Sequence, residues 1–69
     1  MRPLSWRQVC RILERQGFVF RRQRGSHMRY RGMVDGKVRD VSVPRHRTLK
    51  PGTLADVIRQ SGLPRDLFQ

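Results

Sequence analysis

Near the start of the chain, apolar residues recur at helical spacing: Trp6, Val9, Cys10 and Leu13 fall on one face, with Ile12 beside it. Ser5 precedes this stripe and Gln8 follows three residues later. That is the pattern of a capping box, in which each side chain satisfies a backbone N–H left unpaired by the first helical turn. Leu4 and Val9 are spaced as a hydrophobic staple across the same cap, and Gly17 suits a left-handed stop. The pattern predicts a helix from Ser5 to Gln16.

The period then falls to that of a strand. Phe18-Val19-Phe20-Arg21-Arg22-Gln23 reads as extended, and Gly25 sits near the turn of a hairpin whose loop length decides which residues share a face. A two-residue loop would place Phe20 with His27 or Arg31, mixing apolar and charged groups. A three-residue loop, Arg24-Gly25-Ser26, sorts them better. Phe18, Phe20, Met28 and Tyr30 then share an inner face with only Arg22 out of pattern, while Val19, Arg21, Gln23, His27, Arg29 and Arg31 share a basic outer face. Asp35-Gly36 supplies the next turn, and Lys37 to Val43 reads as a third strand with Val41 and Val43 in the core and Pro44 as its stop. Lys50-Pro51 opens a second helix, Leu54, Val57 and Ile58 form its apolar stripe, and Gly62 ends it. Pro64 to Phe68 adds a short turn expected to return Leu67 and Phe68 to the core. The expected architecture is one α+β domain over residues 1–69, ordered α-β-β-β-α, with helices on one face of a three-stranded antiparallel sheet.

Charge narrows the choice of partner. The chain carries 16 Lys and Arg against 5 Asp and Glu, a formal charge of +11, with a sequence pI of about 11.9. Such a field points to a polyanion, nucleic acid first and an acidic protein second, rather than to a neutral metabolite. A domain of 69 residues buries only about 60% of the surface its unfolded chain exposes, which argues against a deep pocket. No stretch nears the roughly 20 apolar residues of a membrane span, and no apolar run of a signal peptide follows the start. The reading is a cytoplasmic protein with no membrane partner. Gly25-Ser26-His27-Met28 matches the remnant of a cleaved histidine tag, but such a remnant sits at a terminus, and this one lies in mid-chain after a strand. It is read as native sequence.

Glu14, Asp35, Asp40, Asp56 and Asp66 are scattered, with no pair spaced to hold metal ions; this argues against metal-assisted hydrolysis and predicts no metal or other cofactor. Asp40 shares strand parity with Val38 and Ser42 and is expected to pair with an arginine of the basic face. Cys10, the one cysteine, can form neither an intrachain disulfide nor a zinc site alone, and is read as core packing. Histidine remains as the side chain able to move a proton near neutral pH. His27 follows a glycine turn that lets a substrate backbone come close, with Arg21, Arg29 and Arg31 placed to hold phosphate. The set suits attack by a ribose 2′-hydroxyl on its adjacent phosphate, with His27 as general base or acid and the arginines stabilising the developing charge. RNA contacts are expected from the same region: Arg22, Arg24, Gly25 and Ser26 around the turn, and Arg45 and His46 after Val43-Pro44. His46 could equally orient a neighbour or cap its loop. From the residues alone, the plain reading of His27 as an ordinary surface histidine stays open.

Gly17-Phe18, Gly25-Ser26-His27 with Tyr30, Asp35-Gly36, Val43-Pro44 with His46, Leu49-Lys50-Pro51-Gly52-Thr53-Leu54 and Gly62-Leu63, in this order and spacing, resemble the HicA (YcfA-like) toxins of bacterial toxin–antitoxin systems over nearly the whole chain. The resemblance implies a fold like the double-stranded-RNA-binding domain. It also implies a toxin that cleaves mRNA, blocks translation and is neutralised by a HicB-type antitoxin, expected here to be acidic. The family's catalytic histidine falls on His27, with Gly25 and Ser26 shaping its turn. Two readings from different classes result: a metal-independent ribonuclease toxin, and a non-catalytic RNA-binding module in which the basic sheet and Tyr30 hold RNA by charge and stacking. A third makes the chain only an interaction partner for an acidic protein. They divide at His27, because a binding module does not need an imidazole at a glycine turn and a nuclease does.

Overall fold

Ser5 and Gln8 form the expected capping box in the computed structural model, which describes residues 3–69. Ser5 Oγ accepts the Gln8 N–H at 3.2 Å, and Gln8 Oε1 accepts the Ser5 N–H at 2.9 Å. Helix α1 (Trp6–Arg15) ends on two crossed bonds, Gly17 N–H to the Glu14 carbonyl and Phe18 N–H to the Leu13 carbonyl, with Gly17 at φ +89°. This Schellman arrangement needs a left-handed residue at Gly17, and it turns the chain so that Phe18 enters the core with Leu13.

Strands β1 (Val19–Arg24), β2 (His27–Val34) and β3 (Lys37–Pro44) form an antiparallel sheet in the order β1-β2-β3. The first hairpin corrects the expected register. Its loop is two residues, Gly25-Ser26, because Arg24 already pairs with His27. The extra residue needed to separate apolar from charged side chains lies in the strand instead: Phe20 faces Tyr30 and Arg22 faces Arg29, leaving Arg21 as a bulge. Bulge and longer loop solve the same parity problem, but they divide β1 differently. With the bulge, Arg22 joins the outer face, where a three-residue loop would leave it out of pattern, and Gln23 moves to the inner parity opposite Met28. The second hairpin turns at Asp35 and Gly36, both at positive φ (53° and 75°), as a two-residue type I′ turn demands.

Both helices cover one face of this sheet. Val9, Cys10 and Leu13 from α1, Leu54, Val57 and Ile58 from α2 (Pro51–Ser61), and Tyr30, Val41 and Val43 from the sheet are buried together. Each of these fully buried apolar side chains contributes roughly 1.5–3 kcal/mol relative to exposure. Gly32 is required by the same packing, since a Cβ there would lie 2.7–2.8 Å from the Phe18 ring. The covering is uneven, however. Every residue of the edge strand β1 is exposed, so Phe20, on the inner parity, stays 44% exposed and rests edge-on against Tyr30 at 5.7 Å. The closing 3₁₀ turn, Arg65–Phe68, buries Phe68 fully but leaves Leu67 37% exposed. With three residues per turn, neighbouring side chains point about 120° apart and cannot both face the core. Among the described residues, no helix is long and apolar enough to cross a membrane.

Tyr30 bolts the sheet to α1, its hydroxyl donating to Glu14 Oε2 at 3.0 Å. Burial, reinforced by hydrogen bonds to Cys10 and Glu14, pushes the phenol above its ordinary range. Because the folded value is raised, the unfolded chain ionises first, and this contribution to stability is lost as pH rises past about 10. Tyr30 is the one tyrosine, so phenolate ultraviolet absorption reads it alone. We expect no phenolate signal near pH 10.5 while the circular dichroism stays native, and its appearance on unfolding in urea. A phenol titrating normally in the folded protein would contradict the buried contact.

Candidate functional site

The register places a band of cations on the face opposite the helices. Three rows cross the sheet there: Arg24, His27 and Pro44; Arg22, Arg29 and Ser42; Val19, Arg31 and Asp40. Arg21, Arg22, Arg29, Arg31, Asp40 and Ser42, together with Gln60 from α2, line a groove of about 590 Å³ that also touches Tyr30 and Val41. A shallow groove with arginines along it suits an extended anion, since guanidinium groups can take phosphate oxygens two at a time.

His27, on the first residue of β2, is not among the groove's lining residues but touches one of them, Ser42. Its ring is exposed, and Nδ1 lies 3.0 Å from Ser42 Oγ. The turn before it is braced twice: Gln23 Nε2 donates to the Gly25 carbonyl at 2.9 Å, and Arg45 N–H donates to the Ser26 carbonyl at 2.7 Å. Gly25 sits at φ +59°, which favours glycine at that position. The histidine is therefore mounted on a fixed ribbon rather than on a loose loop.

Asp40 holds Arg31 through the Nε–Oδ1 contact at 2.7 Å, as its strand parity suggested. The hydrogen bond from Arg31, helped by the charges of Arg31, Arg21 and Arg29, keeps the Asp40 carboxyl below the usual carboxylate range. The pair is exposed and screened, so its role is to hold a guanidinium in the groove more than to stabilise the fold. The other ion pair among the described residues joins Arg59 to Asp56 on α2, leaving Arg21, Arg22, Arg24 and Arg29 without acidic partners there. No three His, Cys, Asp or Glu side chains gather among the described residues as a metal site would require.

Of the other expected contact residues, Arg24, Gly25 and Ser26 lie at the hairpin turn outside the groove lining, and Arg45 is turned elsewhere. The Arg45 guanidinium lies 4.9 Å from the Trp6 ring centre, with Arg7 at 5.2 Å, so its side chain rests on α1 at the turn end of the sheet, outside the groove lining. His46 is exposed, and its backbone makes two bonds: its carbonyl accepts the Trp6 N–H at 3.1 Å and its own N–H donates to the Pro44 carbonyl at 2.8 Å. These bonds hold the loop after β3 against the first turn of α1. Tyr30 cannot stack on a base. It lies on the inner face and is only 4% exposed. Cys10 packs in the core, where burial pushes its thiol up and keeps it protonated.

Two site residues escaped the sequence reading. Ser42 had a signal, its shared parity with Asp40, but nothing tied it to His27 until the register was known. Gln60, whose Oε1 accepts the Ser42 N–H at 2.9 Å, had none, because only the docking of α2 on the edge strand β3 brings it there. A family model described as the HicA toxin of bacterial toxin–antitoxin matches residues 6–63, a span that takes in both helices, the whole sheet and His27. No curated protein matches the chain.

Proposed function

This chain belongs to the HicA toxin family of bacterial toxin–antitoxin systems, and from that premise we propose that it is a metal-independent ribonuclease that cleaves mRNA in the cytoplasm, with His27 as its general acid or base. The observation that carries this reading is the exposed His27 ring, held at Nδ1 beside a groove of arginines. An RNA strand laid along Arg22, Arg29 and Arg31 brings a phosphate to the imidazole. The ribose 2′-oxygen attacks the adjacent phosphorus, a P–O2′ bond forms and the P–O5′ bond breaks. His27 takes the 2′-hydroxyl proton or delivers one to the departing 5′-oxygen, while the arginines face the charge that builds on the phosphate. No step requires a metal, and three of the five carboxylates are already engaged: Glu14 by Tyr30, Asp40 by Arg31 and Asp56 by Arg59. The non-catalytic binding module loses its stacking residue with the burial of Tyr30.

The same charge suits the antitoxin. A HicB-type partner with an acidic surface would cover His27 and the arginine rows and so compete directly with RNA.

For the histidine, the decisive comparison is purified wild type against His27→Ala on a defined RNA in EDTA. Loss of proton transfer should slow cleavage roughly 10²–10⁴-fold. RNA affinity should change little because the arginines remain, and an exposed side chain should leave stability within about 0.5 kcal/mol. Equal cleavage by both proteins would remove His27 from the reaction, and activity that needs a divalent metal would overturn the mechanism. Asp40→Asn tests the groove: freeing Arg31 and raising the charge by one should tighten RNA binding and steepen its salt dependence. Weaker binding would mean that Arg31 does not lie on the RNA path.

A further inference from the structure

We infer that Ser42 is the positioning residue for His27, holding the ring with its proton on Nδ1 so that Nε2 is the nitrogen that exchanges a proton with RNA. The inference rests on the ribonuclease reading for its catalytic meaning, but its geometry stands apart from that reading. His27 lies opposite Pro44 and Ser42 opposite Arg29, so the two side chains are diagonal neighbours on the outer face, 3.0 Å apart between Nδ1 and Oγ. With Nδ1 occupied by the hydroxyl, Nε2 is left for substrate.

What makes the contact a mount is the support behind Ser42. β3 is an edge strand, and the Ser42 N–H donates to Gln60 Oε1 at 2.9 Å. Gln60 belongs to the last turn of α2, between the buried residues Val57, Ile58 and Ser61. A continuous path therefore runs from the core through Gln60 and Ser42 to the imidazole. Arg29, by comparison, carries its charge on a long side chain with no acidic partner among the described residues.

The proton assignment follows from the chemistry required. A base must present a lone pair to the 2′-hydroxyl, so the nitrogen facing Ser42 must carry the hydrogen and donate it to Oγ. The imidazolium formed after proton uptake keeps that same bond. Ser42 thus serves as acceptor in both states, and Nε2 gains and loses the proton with no rotation of the ring.

The test has a readout independent of activity. Two-bond proton–nitrogen correlation spectra of the RNA-free protein, recorded where the His27 ring is neutral, should show Nδ1 protonated in the wild type. Ser42→Thr keeps the hydroxyl on a strand that tolerates β-branching, and should preserve this state. Ser42→Ala should shift the proton to Nε2, the tautomer an unconstrained neutral histidine favours. In cleavage assays Ser42→Ala should lower kcat about tenfold with KM within twofold, at the low end of what histidine-orienting partners supply at metal sites, and Ser42→Thr should recover most of the loss. A wild-type ring protonated on Nε2, or a tautomer indifferent to Ser42→Ala, would overturn the assignment. If the spectra behave as expected but the wild type cleaves no RNA, the positioning stands and the ribonuclease reading falls.

Discussion

One unpaired residue in β1 governs what the rest of the site can be. A strand's side chains alternate strictly, so a two-residue turn at Gly25-Ser26 would drive either Phe20 or the arginines to the wrong side. The bulge at Arg21 shifts the alternation by one residue between Phe20 and Arg22. Upstream of it, Phe18 reaches the core and Phe20 the inner face; downstream, Arg22 and Arg24 stand in the same rows as Arg29 and His27. The tight turn then keeps His27 on the first residue of β2, where Ser42 can reach it across β3. Without the bulge, burial of the phenylalanines and alignment of the arginines would compete.

Concentrating charge in this way has a cost that the opposite face offsets. A formal charge of +11 on 69 residues repels itself, and with one acidic side chain, Asp40, among the groove residues, it is only lightly compensated there. Stability therefore has to come from the helical side, where thirteen apolar side chains among the described residues are buried and Tyr30 fastens the sheet to α1. The two faces divide the labour: one is apolar and fixed, the other cationic and open to a polyanion. A partner that neutralises the open face relieves the repulsion as it binds, which suits a toxin made to be held by an antitoxin.

Much of this was legible in the residues because local rules decide it. Ser5 and Gln8 announce a cap, Gly17 and Gly62 announce helix ends, and Asp35-Gly36 announces a hairpin; each depends on neighbours only a few positions away. Asp40 could be paired with the basic face from parity alone. Local rules fail where the partners lie far apart in sequence. Loop and bulge give nearly the same alternation, so the pattern of apolar residues could not choose between them. Tyr30 was visible as an aromatic beside arginines, but its burial depends on α1 arriving from the other side of the sheet. Ser42 and Gln60 lie 15 and 18 residues from their respective partners, His27 and Ser42. Only the assembled register and the docked helix bring them to the site.

On the proposed reaction, the imidazole and arginines act on the ribose 2′-hydroxyl and its neighbouring phosphate, not on a water molecule. The product ends decide this most directly. Mass spectrometry of a short RNA cleaved by purified protein in EDTA should find a 2′,3′-cyclic phosphate, or the 3′-phosphate it hydrolyses to, on one fragment and a free 5′-hydroxyl on the other. A 5′-phosphate with a 3′-hydroxyl, or cleavage that persists when the ribose at the cut site is replaced by deoxyribose, would rule out attack by the 2′-hydroxyl.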